Sequence, residues 1–525
     1  MSSDFQAAIP RLVAAAVVAW VTWKVWSFFK PRDEHTLRSV AIVVLGDIGR
    51  SPRMMYHAES FIENDFFTEI IGYGGSTLIP SLEKAQIRYL PEPPRWMRKL
   101  PFLISAPIKV VLQVLSIFIQ LFTIPNPPEF ILVQNPPSIP TLAIVWLVGR
   151  IRGSKVIIDW HNLGYSILAM RFPRQGKHHP LVCLAKWFER TFGRTAYAHL
   201  FVTEAMRNFL VEEWDLQGIK VVLHDRPPRR FHKSTPQGIH DLFAVKLEKS
   251  LASDPSLKGF LPAHDAPYST AFTATDASSK AHIKHDTPPP PASVIDPIYS
   301  GVKAPFLRED RPALLVSSTS WTEDEDFSIL LSALGEYEIK AAAANKLPKL
   351  LVILTGKGPL RDKYMSEVGE LQKQWHWVRC VNRWLEAEDY PVLLGAADLG
   401  ISLHASSSGL DLPMKVVDMF GCALPVCALD FSCLSELVKD GKNGLVFKDA
   451  SQLAEQMETL LTGFPDCPRL SKLRSNLLRG SERPTSPAYR SPSREISNDV
   501  WETWDENWAR YMRPLILQDV RRNEL

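Results

Sequence analysis

Two series of short Val/Ile/Leu-rich runs, separated by helix-like stretches, constrain this chain more than any other feature. The first series lies at 39–45 (SVAIVVL), 69–73, 87–90, 130–134 (FILVQ), 155–159 (KVIID), 199–203 and 220–223. The second lies at 313–318 (ALLVSS), 349–355 (KLLVILT), 376–381, 398–403 (DLGISL), 424–429 and 444–447. Nearly continuous apolar strands that alternate with helices predict parallel sheets covered on both faces. At 525 residues the chain also exceeds what one hydrophobic core organises. The expected fold is therefore α/β, with two doubly wound, Rossmann-like domains facing each other across a cleft at their strand C-termini, where such sheets bind ligands.

Composition marks the boundaries. Residues 1–38 read as an N-terminal membrane anchor and a short linker, 39–233 as the first domain and 311–472 as the second. Between them, 234–310 is rich in Ser, Pro, Asp and Lys, contains TPPPPASV, and reads as a flexible linker or insertion. The remainder, 473–525, begins Ser/Arg/Pro-rich and loosely ordered. It ends in a helix-like segment, 499–516, with Trp501, Trp504 and Trp508 at helical spacing, which should dock.

The anchor is Leu12–Phe29 (LVAAAVVAWVTWKVWSFF), just long enough for a bilayer core of roughly 20 residues. It ends in bulky residues, not a small-x-small cleavage site, so it reads as retained. Lys24, Lys30, Arg32 and Arg38 lie in or after its end, against Arg11 before it, which puts the domains in the cytosol. Six cysteines without metal-ligand spacing fit a reducing compartment. A net charge of +3, from 60 basic and 57 acidic residues, excludes nucleic acid as the expected partner. A second apolar run, 108–124, confines its polar residues to one helical stripe. It fits an in-plane membrane helix or a helix packed in the protein core.

Chemistry is expected in the loops after the strands. GDIGRSPRM, 46–54, follows the first strand, with Pro52 at a helix start. The turn of Gly46, Gly49 and Ser51, with Arg50 and Arg53 nearby, can receive a phosphate there; the full G-x-G-x-x-G spacing is missing, and a turn that binds nothing is the plain alternative. TGKGP, 355–359, repeats the arrangement: Gly356 and Gly358 let the backbone approach a ligand and Lys357 supplies charge. The acidic run 323–326 admits a metal through Asp324 and Asp326, but acids at a helix start more often complement its dipole, and no metal is expected. The most informative stretch is SSSGLDLPMKVVDMFG, 406–421. Lys415 in the first turn of a helix opposes the dipole unless the loop binds an anion. Asp418, one turn on, shares its face. A solvated Lys–Asp pair is the plain alternative, although their neighbours are Val, Val, Met and Phe.

PMKVVDMFGCALP, 413–425, resembles the P-x-K-x-x-E nucleotide-sugar motif of GT-B glycosyltransferases. With GDIGRSP, VQNPPSIPT, DWHNLGYS, HDRPP, TSWTEDEDF and LHASSSGLDLPMKVVDMFG, the chain resembles the chitobiosyldiphosphodolichol beta-mannosyltransferase family over about 40–232 and 311–462. The resemblance implies a GT-B fold and inverting transfer of the first mannose, in beta-1,4 linkage, from GDP-mannose to GlcNAc2-diphosphodolichol in lipid-linked oligosaccharide assembly. It implies a single-pass endoplasmic reticulum membrane protein with cytosolic catalytic domains, and other mannosyltransferases of the pathway as partners. Lys415 would face the GDP diphosphate and Asp418 the ribose, with Thr319, Gly356, Lys357, Gly358, Ser408, Gly409 and Asp411 in the donor site. Gly46, Gly49, Arg50, Ser51 and Arg53 would hold the acceptor diphosphate. Asp418 stands where Glu is usual, and Leu410 where retaining relatives carry an acid, which fits inversion. Inversion needs a general base, for which Asp47 and His161 are candidates; His161 has a structural alternative as a strand cap. No cofactor is expected. Two rival readings are another nucleotide-sugar transferase acting on a lipid acceptor and a non-catalytic, membrane-anchored subunit.

Overall fold

Every run of the first series becomes a strand of one parallel sheet. These are β1 (Ser39–Asp47), β2 (Phe67–Tyr73), β3 (Gln86–Tyr89), β4 (Phe130–Asn135), β5 (Lys155–Trp160), β6 (Thr195–Phe201) and β7 (Gln217–Val222). Their order is β3-β2-β1-β4-β5-β6-β7. The order reverses between β1 and β4, so the loops after these strands diverge there and leave room for a ligand. Covering helices include α1 (Pro52–Glu63), α2 (Phe102–Phe122), α3 (Thr141–Arg152) and α4 (Pro180–Gly193).

The computed structural model describes residues 17–23, 38–92, 94, 97, 101–172, 176–275, 304–322, 325–344, 346–406, 408–481 and 502–523. They form two units, Met1–His224 and Asp225–Leu525. Of the expected anchor only 17–23 are described, and they are helical. Among the described residues no helix is long and apolar enough to cross a membrane.

In the second unit, β10 (Ala313–Ser318), β11 (Leu350–Thr355), β12 (Val378–Asn382), β13 (Leu399–Ser402), β14 (Val426–Leu429) and β15 (Gly444–Phe447) form a six-stranded parallel sheet. Its order is β12-β11-β10-β13-β14-β15. Ahead of them in the chain, β8 (Thr273–Ala274) and β9 (Phe306–Leu307) make a small antiparallel ribbon. The inter-domain segment corrects the sequence reading. Helix α5 (Pro236–Asp241) runs into a π-helical turn, Leu242–Leu247, and a further helix, Glu248–Ala252. Phe243, Leu247 and Leu251, four residues apart, are buried with Phe272 in the same core as Val416 and Phe420. Their apolar stripe is diluted by polar neighbours, which is why composition reads it as a linker. Residues 276–303 lie outside the described set. The unit also begins earlier than expected, at Asp225 instead of after 233.

Three more helices complete what positions the site: α6 (Phe327–Ala344), α7 (Met414–Gly421) and α8 (Trp504–Asn523). α8 docks as expected, burying Trp504, Trp508, Met512 and Ile516; Trp501 lies outside the described residues. All six cysteines are free, and five are buried.

Candidate active site

In the first unit the loop after β1 is held by Asp47. Its Oδ1 accepts from the Gly49 amide at 3.1 Å and the Ser76 amide at 3.3 Å, and its Oδ2 from the Ser76 hydroxyl at 2.7 Å. Burial raises its pKa, but the Ser76 and Gly49 hydrogen bonds and Arg50 outweigh it and hold the carboxyl below its usual range. A carboxylate committed in this way is a loop clamp and a poor proton acceptor. Gly49 is required by close approach: a Cβ there would meet the Thr77 carbonyl at 2.7 Å. At Gly46 a Cβ would meet nothing within 4 Å. Ser51 caps α1 without a side-chain bond. Arg50 is exposed, with its Nε 3.4 Å from the Ser76 hydroxyl and 3.6 Å from Asp47 Oδ2.

Arg53 corrects the expectation that it contacts an acceptor phosphate. It is 3 % exposed and grips Asp159 with both arms, Nε to Oδ2 at 2.8 Å and Nη2 to Oδ1 at 2.9 Å. His161 Nε2 lies 2.8 Å and His57 Nε2 3.2 Å from the same Oδ2. Burial alone would raise Asp159; Arg53 and then His161 overcome it and hold the carboxyl well below its usual range. Burial depresses the His57 imidazole, although Asp159 pulls it upward. An ionised carboxylate only accepts, so Nε2 of His161 carries the hydrogen, and in the neutral ring Nδ1 keeps a lone pair. That arrangement suits a general base. The backbone of this loop is fixed separately, by the His161 amide on the Asn135 carbonyl at 2.8 Å. Buried Glu189 adds to this by accepting from Asn135 Nδ2 and the Gly164 and Tyr165 amides.

In the second unit the loops after β10, β11 and β13 meet the start of α7. Lys415 Nζ donates to Glu325 Oε1 at 2.6 Å and to the Ser320 hydroxyl at 3.1 Å. Two of the three ammonium hydrogens are thus engaged. Glu325 is 3 % exposed, and its Oε2 accepts from the Thr319 hydroxyl and from the Ser320 amide at 2.8 Å. Thr319 therefore positions Glu325. Gly356 and Gly358 are demanded by the same loop: a Cβ on either would lie 1.8 Å from the carbonyl of Thr319 or Ser320 respectively. Lys357 Nζ sits 3.8 Å from the Trp384 ring centroid, a cation–π contact at an exposed indole.

Asp411 organises the serine-rich loop, accepting from the Ser406 hydroxyl and from the Ser408 hydroxyl at 2.9 Å. Gly409 takes φ +71°, which favours glycine. An isolated bridge pairs Glu325 with His404 and ties this loop to Lys415. Pro413 gives α7 no side-chain cap, so the first-turn amides of Met414 and Lys415 have no intrahelical acceptor. Asp418 is half-buried. Burial pushes its carboxyl up to about 8, against the pull of Arg230 and with Asp225 adding to the rise. A largely neutral Asp418 can donate as well as accept.

Sequence spacing did not reveal Glu325, Ser320 or Trp384, nor the role of Asp159. Glu325 sits in the acidic run that reads as a helix-dipole complement, yet α6 begins only at Phe327. Glu323 and Asp324 lie outside the described residues.

The model of the family "Glycosyl transferases group 1" matches residues 311–463, which hold the six-stranded sheet and the helix that carries Lys415. A mouse (Mus musculus) protein named chitobiosyldiphosphodolichol beta-mannosyltransferase is 41 % identical over 512 residues, covering 97 % of this chain and 95 % of its own. The chain belongs to the chitobiosyldiphosphodolichol beta-mannosyltransferase family. It is a glycosyltransferase. An Arabidopsis thaliana relative named UDP-glycosyltransferase TURAN is 37 % identical over 91 % of this chain and 97 % of its own. Among solved structures, Anabaena HepE in complex with UDP-glucose superposes with a TM-score of 0.51 at 14 % identity, covering 84 % of this chain and 93 % of its own. That likeness shows the fold alone, and the fold is GT-B.

Proposed function

We propose that this chain transfers mannose from GDP-mannose to chitobiose carried on diphosphodolichol, with inversion at the anomeric carbon to a beta-1,4 linkage. The observation that carries the reading is the 41 % identity over 97 % of the chain to a protein of that name. Lys415, Lys357 and the first-turn amides of α7 hold the GDP diphosphate, whose charge grows as the bond to the sugar breaks. Thr319, Gly356 and Gly358 shape that site, Ser408, Gly409 and Asp411 form its serine-rich wall, and Asp418 meets the ribose. Gly46, Gly49, Arg50 and Ser51 receive the acceptor diphosphate. His161 Nδ1 takes the proton of the acceptor hydroxyl as its oxygen bonds the anomeric carbon and GDP leaves; Asp159 positions the imidazole. No metal is needed in this scheme, and undiminished transfer in excess chelator is the check. The Leu12–Phe29 span anchors the chain in the endoplasmic reticulum membrane with both units cytosolic, and α2 lies in the lipid interface.

A UDP-sugar donor is the second reading, favoured by the name of the Arabidopsis relative. Competition separates the two. GDP should inhibit transfer from GDP-mannose and UDP should not; the reverse would establish the second reading.

A further inference from the structure

Among the described residues, the first unit carries an exposed apolar face that packing within the unit does not use. On α2, Val111, Leu115 and Ile119 recur every four residues and are 52–56 % exposed. The polar residues of that helix turn toward the sheet edge instead: Gln113 Nε2 lies 3.4 Å from the Tyr73 hydroxyl, and Gln120 Nε2 3.4 Å from the Tyr89 carbonyl. α2 packs on α3, and α3 on α4. α3 extends the face with Leu147 and Ile151, and α4 with Leu184 and Trp187, the last 58 % exposed.

Charge identifies the occupant. From 93 to 203 the sequence holds only Glu129, Asp159 and Glu189 as acids, and none is more than 2 % exposed. Lys109, Arg150 and Arg190, on the same three helices, are exposed. Among the described residues these three helices are therefore apolar on this face, flanked by cations and without an exposed carboxylate of their own; the exposed acid against them, Glu213, is paired with Lys186 of α4 at 3.8 Å. A second copy of the chain would set cations against cations across a two-fold axis. Anionic headgroups above an acyl layer match both properties, and an exposed tryptophan suits that boundary.

We propose that α2, α3 and α4 together form a docking face for an anionic phospholipid bilayer, with Leu184 and Trp187 of α4 entering the headgroup boundary. The proposal rests on the reading that the acceptor is lipid-linked, and extends it from one helix to three. Cys183, the exposed cysteine, lies on α4 beside Leu184 and offers a natural probe. The full chain, labelled there with a polarity-sensitive fluorophore, would be placed in nanodiscs of phosphatidylcholine with or without phosphatidylserine. The expected result is a blue shift, with quenching by brominated acyl chains in the phosphatidylserine discs. Both should weaken at high salt and disappear in the double variant Leu184→Asp, Trp187→Asp. Water-like emission in both discs would overturn the proposal. So would a blue shift that grows with protein concentration without bromolipid quenching, which would make the face a protein interface. The wild-type measurements decide the question even where the double variant does not fold. Transfer to a short-chain acceptor in detergent is read separately, so a failure of the functional reading is distinguishable from a failure of docking.

Discussion

Lys415 Nζ lies 2.6 Å from Glu325 Oε1, a pair formed across 90 residues of sequence. The lysine is 27 % exposed and the glutamate side chain 3 %. The pair explains how a cation is tolerated at the start of α7, and it changes what removing the lysine would do.

Lys415→Ala should lose transfer and also stability, because Glu325 is left buried without its counter-charge. A fully buried broken pair costs roughly 3–5 kcal/mol; the partial exposure of Lys415 brings this to about 1–3 kcal/mol. Adding Glu325→Gln should restore the melting temperature without restoring transfer, since the leaving-group contact is worth roughly 2–4 kcal/mol of barrier. Thermal melts and steady-state rates on both variants check this. Recovery of transfer in the double variant would remove Lys415 from the leaving-group role.

Gly356→Ala should destabilise the second unit by about 2 kcal/mol or more, since its φ of +118° and the 1.8 Å approach to Thr319 oppose a Cβ together. Gly46→Ala, with open space around it, should cost far less. Chemical denaturation of both variants makes the comparison.

Asp159→Asn should destabilise most at neutral pH. The folded pKa of Asp159 is lowered. Its contribution is therefore complete above the unfolded carboxylate value near 4 and is lost as pH falls toward the folded value. The wild type should exceed the variant by about 3–5 kcal/mol at pH 7, with the gap closing below roughly pH 4. A gap independent of pH would contradict the ionised cluster.

Asp418 carries the opposite sign. Its folded pKa is raised to about 8. Its contribution is full below the unfolded carboxylate range and is lost progressively as pH rises to that value. Asp418→Asn should accordingly gain on the wild type from about pH 4 to 8 and hold that gain above it. Melts across this range, with nucleotide titration at pH 7, test both the sign and the retention of donor binding expected of a neutral group.

The sheets were legible because burial on both faces leaves nearly pure Val/Ile/Leu runs, so β1, β4, β10 and β11 stand out at once. The 236–275 segment was not, because its core residues, Phe243, Leu247 and Leu251 among them, are dispersed through a stretch rich in Ser, Pro, Asp and Lys. The loops were found by turn chemistry: Gly356 and Gly358 read as positions where the backbone approaches a ligand, and the close approach the structure shows is to the Thr319 and Ser320 carbonyls. Partners were hidden. Nothing local ties Arg53 to Asp159, 106 residues away, so an arginine beside a phosphate loop reads as a ligand contact when it is a buried brace. The same distance effect hid Glu325 behind Lys415.

The central claim is mannose transfer with inversion. Purified full chain in detergent, given radiolabelled GDP-mannose and a synthetic chitobiosyl-diphospholipid, should yield a mannosylated lipid that beta-mannosidase cleaves and alpha-mannosidase does not. His161→Ala should lower that rate by roughly 10²–10⁴-fold. No product from GDP-mannose, or label released only by alpha-mannosidase, would contradict it.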